Sequence, residues 1–278
     1  MKGNIAYLEG GKEQLQILRD VLEQHRKEAK EEFLFYKECQ RQTHEDPNGG
    51  TQHFVFDFAE KVLLPKLLKQ PGQLHFVTGL KFDIFGVSSS NEEKNYVFGV
   101  PEGHWPNEKT ANVVISMLHH VLETQKATNA PGAFARHLKL HADNCAGQNK
   151  NRFVLWYLCW RVLMDLNDSI ELCFFIAGHT KNVCDGAFGH VKRRLNQTNT
   201  HMTSDMMSFI ENSSSTTKCV PSVHVDWKDW KSMLSSQFRI PSGLAITKFH
   251  VFTFRRVFGM CVLSSPQYGG NIEKLCTN

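Results

Sequence analysis

A chain of 278 residues can bury a full core, and with 41% hydrophobic and 22% charged residues its composition is that of a soluble globular protein. The net charge of +4 is mildly basic and permits a polyanionic partner without requiring one. No apolar run reaches the roughly 18 residues of a membrane span, and the opening residues MKGNIAYLEGGKEQ lack the apolar core of a signal peptide. The eight cysteines are therefore expected as reduced thiols of a nuclear or cytoplasmic protein with no membrane partner, rather than as a disulfide framework.

Lys12 to Gln42 is dense in Glu, Lys, Gln and Arg, and Leu15, Leu18, Leu22, His25 and Ala29 trace one narrow stripe, which predicts a long amphipathic helix. A dimerisation arm, and with it a homodimer, is one use of such a helix. The stripe decays after Leu22 without the clean heptads of a coiled coil, so docking on the chain's own domain is favoured. The turn-rich run HEDPNGGT, His44 to Thr51, separates an N-terminal segment, 1–50, from a core that starts at 51. His53 to Phe58 reads as a strand with Phe54, Phe56 and Phe58 on one face and Val55 and Asp57 on the other. An acid within an aromatic strand is costly to bury unless it is paired or holds a cation. Glu60 to Gln70 reads as short helix or irregular chain, Pro71 to Gln73 as a turn, and Leu74 to Val87 as a long strand. Its hairpin partner is Tyr96 to Val100, across the turn Ser88 to Asn95. Thr110 to Thr124 sets Val113, Met117, Leu118, Val121 and Leu122 on one helical face, and Lys126 to Ala135 is a loop.

His137 to Ala142 alternates as a strand and ends in Asp143; the polar run Asn144 to Asn151 then leads into a helix, Phe153 to Met164. A second apolar strand, Ile170 to Ala177, stops at Gly178, His179 and Thr180. Cys184, Phe188, Val191 and Leu195 return to the helical period, with Asp185 at the start of that helix. The core is taken to close at 197. Beyond it, a short helix at Ser204 to Ile210, a Ser/Thr-rich linker at Asn212 to Lys218, and the segments Val223 to Val225, Trp227 to Leu234 and Leu244 to Val257 predict a small α+β appendage, 198–278. Its Trp227, Trp230, Phe249, His250, Phe252, Phe254, Arg255 and Arg256 suit a clamp on nucleic acid or an ordinary packed core.

The element order is strand, strand, strand, helix, strand, helix, strand, helix. It predicts an α/β fold with a mixed sheet, three antiparallel strands then two parallel, and helices on both faces, which is the order of a ribonuclease H-like fold. With one Asp on the first strand, one at the end of the fourth and one on the last helix, the chain resembles the DDE/DDD transposase and integrase superfamily. More narrowly, DNCAGQNKN (Asp143 to Asn151) and GHTKNVCDGAFGHVKRR (Gly178 to Arg194) resemble a eukaryotic group of uncharacterised, transposon-derived proteins with this fold, over roughly His53 to Leu195. The resemblance implies that Asp57, Asp143 and Asp185 are catalytic and hold two Mg²⁺ or Mn²⁺ ions for nuclease or strand-transfer chemistry on DNA. The separations of 86 and 42 residues between the acids suit that superfamily. Asp185 stands where Glu is more frequent, which shortens the reach to a metal. The alternative is a non-catalytic nucleic-acid or protein-binding module that keeps the fold.

Each of these residues also has an ordinary structural reading. Asp57 can be a strand-end carboxylate satisfied by backbone or a Lys, Asp143 a cap or Asx turn opening the Phe153 helix, and Asp185 a solvated first-turn residue. Asn144, Gln148, Asn149 and Lys150 suit a phosphate or an acidic neighbour, or only loop capping. His179 suits phosphate or support of a ligand, and Lys192, Arg193 and Arg194 suit a nucleic-acid backbone or simply a cationic helix end. Gly186 and Gly189 would allow close approach at the last helix. Cys145 as a thiol nucleophile lacks any surrounding signature, His179 and Cys184 as zinc ligands lack a second pair, and Cys159 and Cys173 read as buried thiols. No zinc finger, helix-turn-helix or AT-hook run is visible, so little sequence preference is expected on DNA.

Overall fold

Strands whose alternate residues are apolar on both sides must be covered on both faces, and that requirement organises the molecule. The computed structural model describes residues 2–45, 50–69, 71–105, 110–128, 136–179, 181–239, 245–257, 260–264 and 274–275. In chain order they form α1 (Lys2–Glu45), β1 (Thr51–Phe58), β2 (Val62–Leu64), β3 (Leu80–Ser89), β4 (Lys94–Pro101), α2 (Ala111–Thr128), β5 (His137–Ala142), α3 (Arg152–Leu163) and β6 (Ser169–Phe174). There follow α4 (Val183–Leu195), α5 (Thr203–Glu211), β7 (Thr217–Pro221), α6 (Trp230–Gln237), β8 (Val251–Val257), β9 (Met260–Ser264) and β10 (Lys274–Leu275).

The sheet runs β10-β9-β8-β6-β5-β1-β3-β4-β7, with β2 on β3. β1, β3 and β4 form an antiparallel meander, whereas β5 joins β1 and β6 joins β5 in parallel. Parallel neighbours need a crossover, and α2 and α3 supply those two. The fold is thus α/β with a mixed sheet and helices on both faces.

One face carries the main core. Phe54, Phe56, Phe85, Phe98, Leu138 and Leu140 meet α2, α3 and α6 through Val114, Met117, Leu118, Leu158, Trp230 and Leu234, all buried. On the other face α4 and α5 cover β3 and β4 through Val191, Leu195, Met206 and Ile210, while α1 places Tyr36 beside Val55, Phe175 and Cys184. Along α1, Ala29, Tyr36, Cys39 and Thr43 are buried, but Leu15, Leu18 and Leu22 are exposed. Among the described side chains of the helix, those that dock on its own domain lie in its second half. Among the described residues no helix is long and apolar enough to cross a membrane.

Three expectations change. The run at Leu74 to Val77 is not strand: a 3-10 turn spans Gly72–Phe76 and β3 begins at Leu80, where β2 first offers a partner. β2 itself replaces the irregular chain expected at 60–70, and Gly79 approaches it so closely that a Cβ there would lie 2.9 Å from the Leu64 carbonyl oxygen. The supposed linker at 212–218 ends in β7, which pairs in parallel with β4. The residues read as an appendage therefore extend one sheet at both edges, with β7 outside β4 and β8 antiparallel to β6. Trp230, Phe249, Phe252 and Phe254 are buried in the main core, and Arg256 pairs with Asp165, so this aromatic set packs rather than clamps.

Candidate functional site

Alternation along β1 and β5 puts the first two acids together. The parallel register ends at Phe56 opposite Ala142; Asp57 is the next residue of β1 and Asp143 the first residue beyond β5. Adjacent strands lie about 4.8 Å apart, so the two carboxylates leave the sheet side by side, on the face of Val55 and His141, towards α1 and α4. The Asp57 Oδ1 accepts from the Phe58 N–H at 2.8 Å and its Oδ2 from Asn182 Nδ2 at 3.2 Å. Asn149 Nδ2 donates to Asp143 Oδ1, as does the Cys145 N–H at 3.4 Å. Burial lifts the Asp57 carboxyl to about 7, and the charge of Asp143 adds to this; Asn182 and the Phe58 N–H oppose it, and Asp185 contributes a smaller upward push. Burial also raises Asp143. Among the described residues neither carboxylate has an ion-pair partner.

The third acid arrives on α4, whose position rests on two residues not singled out in the sequence. Gly86 is the register partner of Asp57 on β3. A Cβ there would come within 2.9 Å of the Phe188 ring and 3.4 Å of Cys184 Sγ, so its bare backbone is what lets α4 lie directly on the strands. Asn182 is the N-cap of α4: its Oδ1 accepts from the Cys184 N–H at 2.8 Å, and its own N–H donates to Asp185 Oδ2 at 2.8 Å. With its Nδ2 on Asp57, Asn182 stands between two of the acids. Both were legible in principle. Asn-x-x-Asp before a helical run is a capping pattern, and an isolated glycine inside a strand signals close approach.

Other candidates separate. Asn149 is fully buried and serves Asp143, with its Oδ1 unpartnered. Lys150 is a correction: it is 2% exposed, its Nζ donates to the Thr247 carbonyl at 3.1 Å, and burial lowers its pKa to about 8, because the turn points it into the space beneath Phe174. It therefore holds the loop rather than a phosphate. Gln148 and Asn144 are half-buried in the same turn, where the Gln148 carbonyl accepts from Asn151, and it is Asn151, not Asp143, that caps α3. His179 is exposed, its ring 5.3 Å from that of His25. Lys192 pairs with Glu60 at 3.3 Å in solvent and Arg193 is exposed, but Arg194 donates to the Asn212 carbonyl at 2.9 Å, tying α4 to the turn after α5. Cys184 is fully buried with Sγ 3.2 Å from Ser88 Oγ, which excludes a zinc pair with exposed His179; Cys159 and Cys173 are buried thiols as expected.

Below the acids α1 seats on a buried polar patch. His53 Nε2 and His141 Nδ1 are 2.9 Å apart, and His53 Nδ1 lies 2.7 Å from Ser90 Oγ. Burial holds both imidazoles well below the usual range, His141 at about 3, and raises Glu32 of α1 to about 7. Higher up, Tyr36 Oη accepts from the Val183 N–H at 3.3 Å, joining α1 to the start of α4. Two cavities border Asp185. One, of about 620 Å³, lies under α4 against β2; the other, of about 760 Å³, lies between α1 and the loop before α4.

The donor set suits a hard divalent cation in its chemistry, since two desolvated, uncompensated carboxylates stand together and oxygen is what Mg²⁺ and Mn²⁺ prefer. In geometry the third is turned aside: Asp185 is exposed and its Oδ2 is spent on the helix cap. Among the described residues no group of three or more His, Cys, Asp or Glu side chains is gathered so as to hold a metal ion. No curated protein matches the chain. The family described as domain of unknown function (DUF7869) matches residues 73–266, more than half of the chain and including Asp143 and Asp185, and the chain belongs to that family.

Proposed function

Membership of the DUF7869 family carries no assigned activity, so we propose a function from the site itself: a ribonuclease H-like, transposase-derived, metal-dependent DNA nuclease or strand transferase. The observation that carries it is the pairing of Asp57 and Asp143 at neighbouring strand ends, desolvated and without a cationic partner among the described residues. The strand order β4-β3-β1-β5-β6 supports the fold assignment, with the acids on the first strand of that set, after its fourth, and on the following helix.

Asp57, Asp143 and Asp185 are the residues that would hold Mg²⁺ or Mn²⁺. Bound there, the ions would activate a water or 3′-hydroxyl and stabilise the leaving oxygen of an in-line displacement at phosphorus. The chain's own contribution is orientation. Asn149 fixes Asp143 through Oδ1, while Asn182 holds both Asp57 and Asp185. With its carboxyl near 7, Asp57 keeps its proton through mildly acidic pH and must release it to bind a cation, so affinity should rise steeply as pH passes through neutrality. Bringing Asp185 to the same cation requires its Oδ2 to leave the Asn182 N–H. A second reading, a nucleic-acid-binding module without turnover, is favoured by that one feature, the engaged cap of Asp185.

Calorimetric titration of Mn²⁺ into the wild type, Asp57→Asn and Asp143→Asn tests the choice. Binding at pH 8 that either substitution abolishes, with DNA nicking lost in Asp185→Ala, is the expected result. Wild-type protein that takes up no Mn²⁺ would leave the binding module as the function.

A further inference from the structure

The two cavities that meet at Asp185 have complementary linings. The one beside α1 is bordered by Arg26, Lys30 and Lys181, and among the described residues none of the three has an ion-pair partner. Phe33 of α1 lines the same groove and is 40% exposed, with Lys37 Nζ 5.5 Å from its ring centroid. The cavity on the other side of Asp185 has an apolar floor of Phe58, Phe188 and Val191, with Lys61 and Lys66 also on its wall. Gly189 borders it too, and nothing lies within 4 Å of where its Cβ would be.

We propose that the two cavities are one channel for a single unpaired DNA strand that passes beside Asp185, the acid that borders both. This rests on the reading of the site as one that acts on DNA, and it names the form of the DNA. Phosphates run along Arg26, Lys30 and Lys181; a base stacks on Phe33; the nucleotide beyond Asp185 seats its base in the apolar cavity. The physical reason for a single strand is that paired, stacked bases present no free face, whereas both an exposed phenyl ring and an apolar pocket need one. A volume of about 620 Å³ is also that of a pocket for one small molecule. α1 closes the approach further, because Tyr36 is tied to the first residue of α4 and the strand must enter between helix and loop. The N-terminal helix is then a wall of the substrate site rather than an arm apart from it.

Fluorescence anisotropy in EDTA separates binding from any metal chemistry. A labelled single strand should bind at least about tenfold more tightly than the duplex of the same sequence. Arg26→Glu with Lys30→Glu, and separately Lys181→Glu on the loop, should weaken the single strand and flatten its salt dependence, by a slope of about 0.7 for each phosphate that is no longer neutralised. Gly189→Met, which fills the cavity at a helical site where glycine is unfavourable, should cost about tenfold in single-strand affinity, the worth of one stacked base, with no loss of melting temperature. Equal or tighter binding of duplex, or charge reversals that leave the single-strand Kd unchanged, overturns the channel. The two readings fail separately: strand binding as described with no Mn²⁺ uptake removes the nuclease and keeps the channel, and Mn²⁺ uptake without strand preference does the reverse.

Discussion

The two faces of the central sheet are made from the same strands and carry opposite chemistry. Phe54, Phe56, Leu138, Leu140 and Ala142 point to α2 and α3 and are all buried in the main core. The residues that alternate with them, His53, Val55, Asp57 and Lys139, His141, Asp143, point to α1 and α4, and most of them can ionise. On the first face burial of these strand side chains is favourable because apolar area leaves water, even though the covering helix α3 carries Trp156 Nε1 and Arg161 Nη2 buried without a hydrogen-bond partner. On the second it is resisted at Asp57, Asp143, His53 and His141, whose pKa values all move towards the neutral form. The contrast teaches that stability and chemistry were assigned to different faces by a period of two. Four substitutions test it.

The largest effect should come from the apolar face. Phe54→Ala removes a fully buried ring and should cost about 3–5 kcal/mol in chemical denaturation. The folded fraction should still bind Mn²⁺ as the wild type does. A cost under 1 kcal/mol would mean that the main core is not where the folding free energy resides.

Asp57→Asn should act in the other direction. The folded carboxyl titrates near 7 and the unfolded one near 3.8, so between those values the native state holds a proton that the unfolded state has released, and stability falls as pH rises through the window. Removing the charge should therefore stabilise the metal-free protein by about 2–4 kcal/mol at pH 8 and change little at pH 4. Melting curves at the two pH values decide, and a substitution that destabilises at pH 8 would show that the acid is already compensated.

Gly86→Ala sharpens the comparison at the strand where α4 rests. The new methyl would meet the Phe188 ring at 2.9 Å, so a loss of about 1–3 kcal/mol is expected together with weaker Mn²⁺ binding, as α4 and Asp185 lift away. Unchanged cation affinity would detach the site from the seating of that helix. The smallest effect belongs to Asn182→Ala. It loses an N-cap worth about 1 kcal/mol and also the amide that lowers Asp57, so the Asp57 titration followed by carboxyl NMR should move further up. A downward or absent shift would contradict the hydrogen bond from Asn182 to Asp57.

Elements with a strong internal period were legible. β1, β5, α3 and α4 sit within a residue or two of where alternation and helical spacing predict them, and the side of β1 that bears Asp57 followed from Phe54 and Phe56 alone. The run at 74–77 misled because apolar side chains resemble a strand whether or not a partner is within reach, and there the chain has already left β2. Lys150 misled for a related reason: a cation in a polar loop looks solvated until the Thr247 carbonyl, 97 residues away, is folded against it.

The inventory and its phase can be read along the chain: three acids at strand ends and a helix start, apolar stripes of period two and 3.6, and an N-terminal helix with too short a heptad seam to stand alone. Those are local quantities, set by backbone geometry within a few residues. Which of them meet was settled by long-range packing. β7 joined β4 at one edge of the sheet and β8 joined β6 on its other side, α1 came to lie over the acids, and Asn182 came between Asp57 and Asp185. Such contacts join residues far apart in the chain, and they are selected by the packing of whole faces, through an absent side chain at Gly86 as much as through any present one.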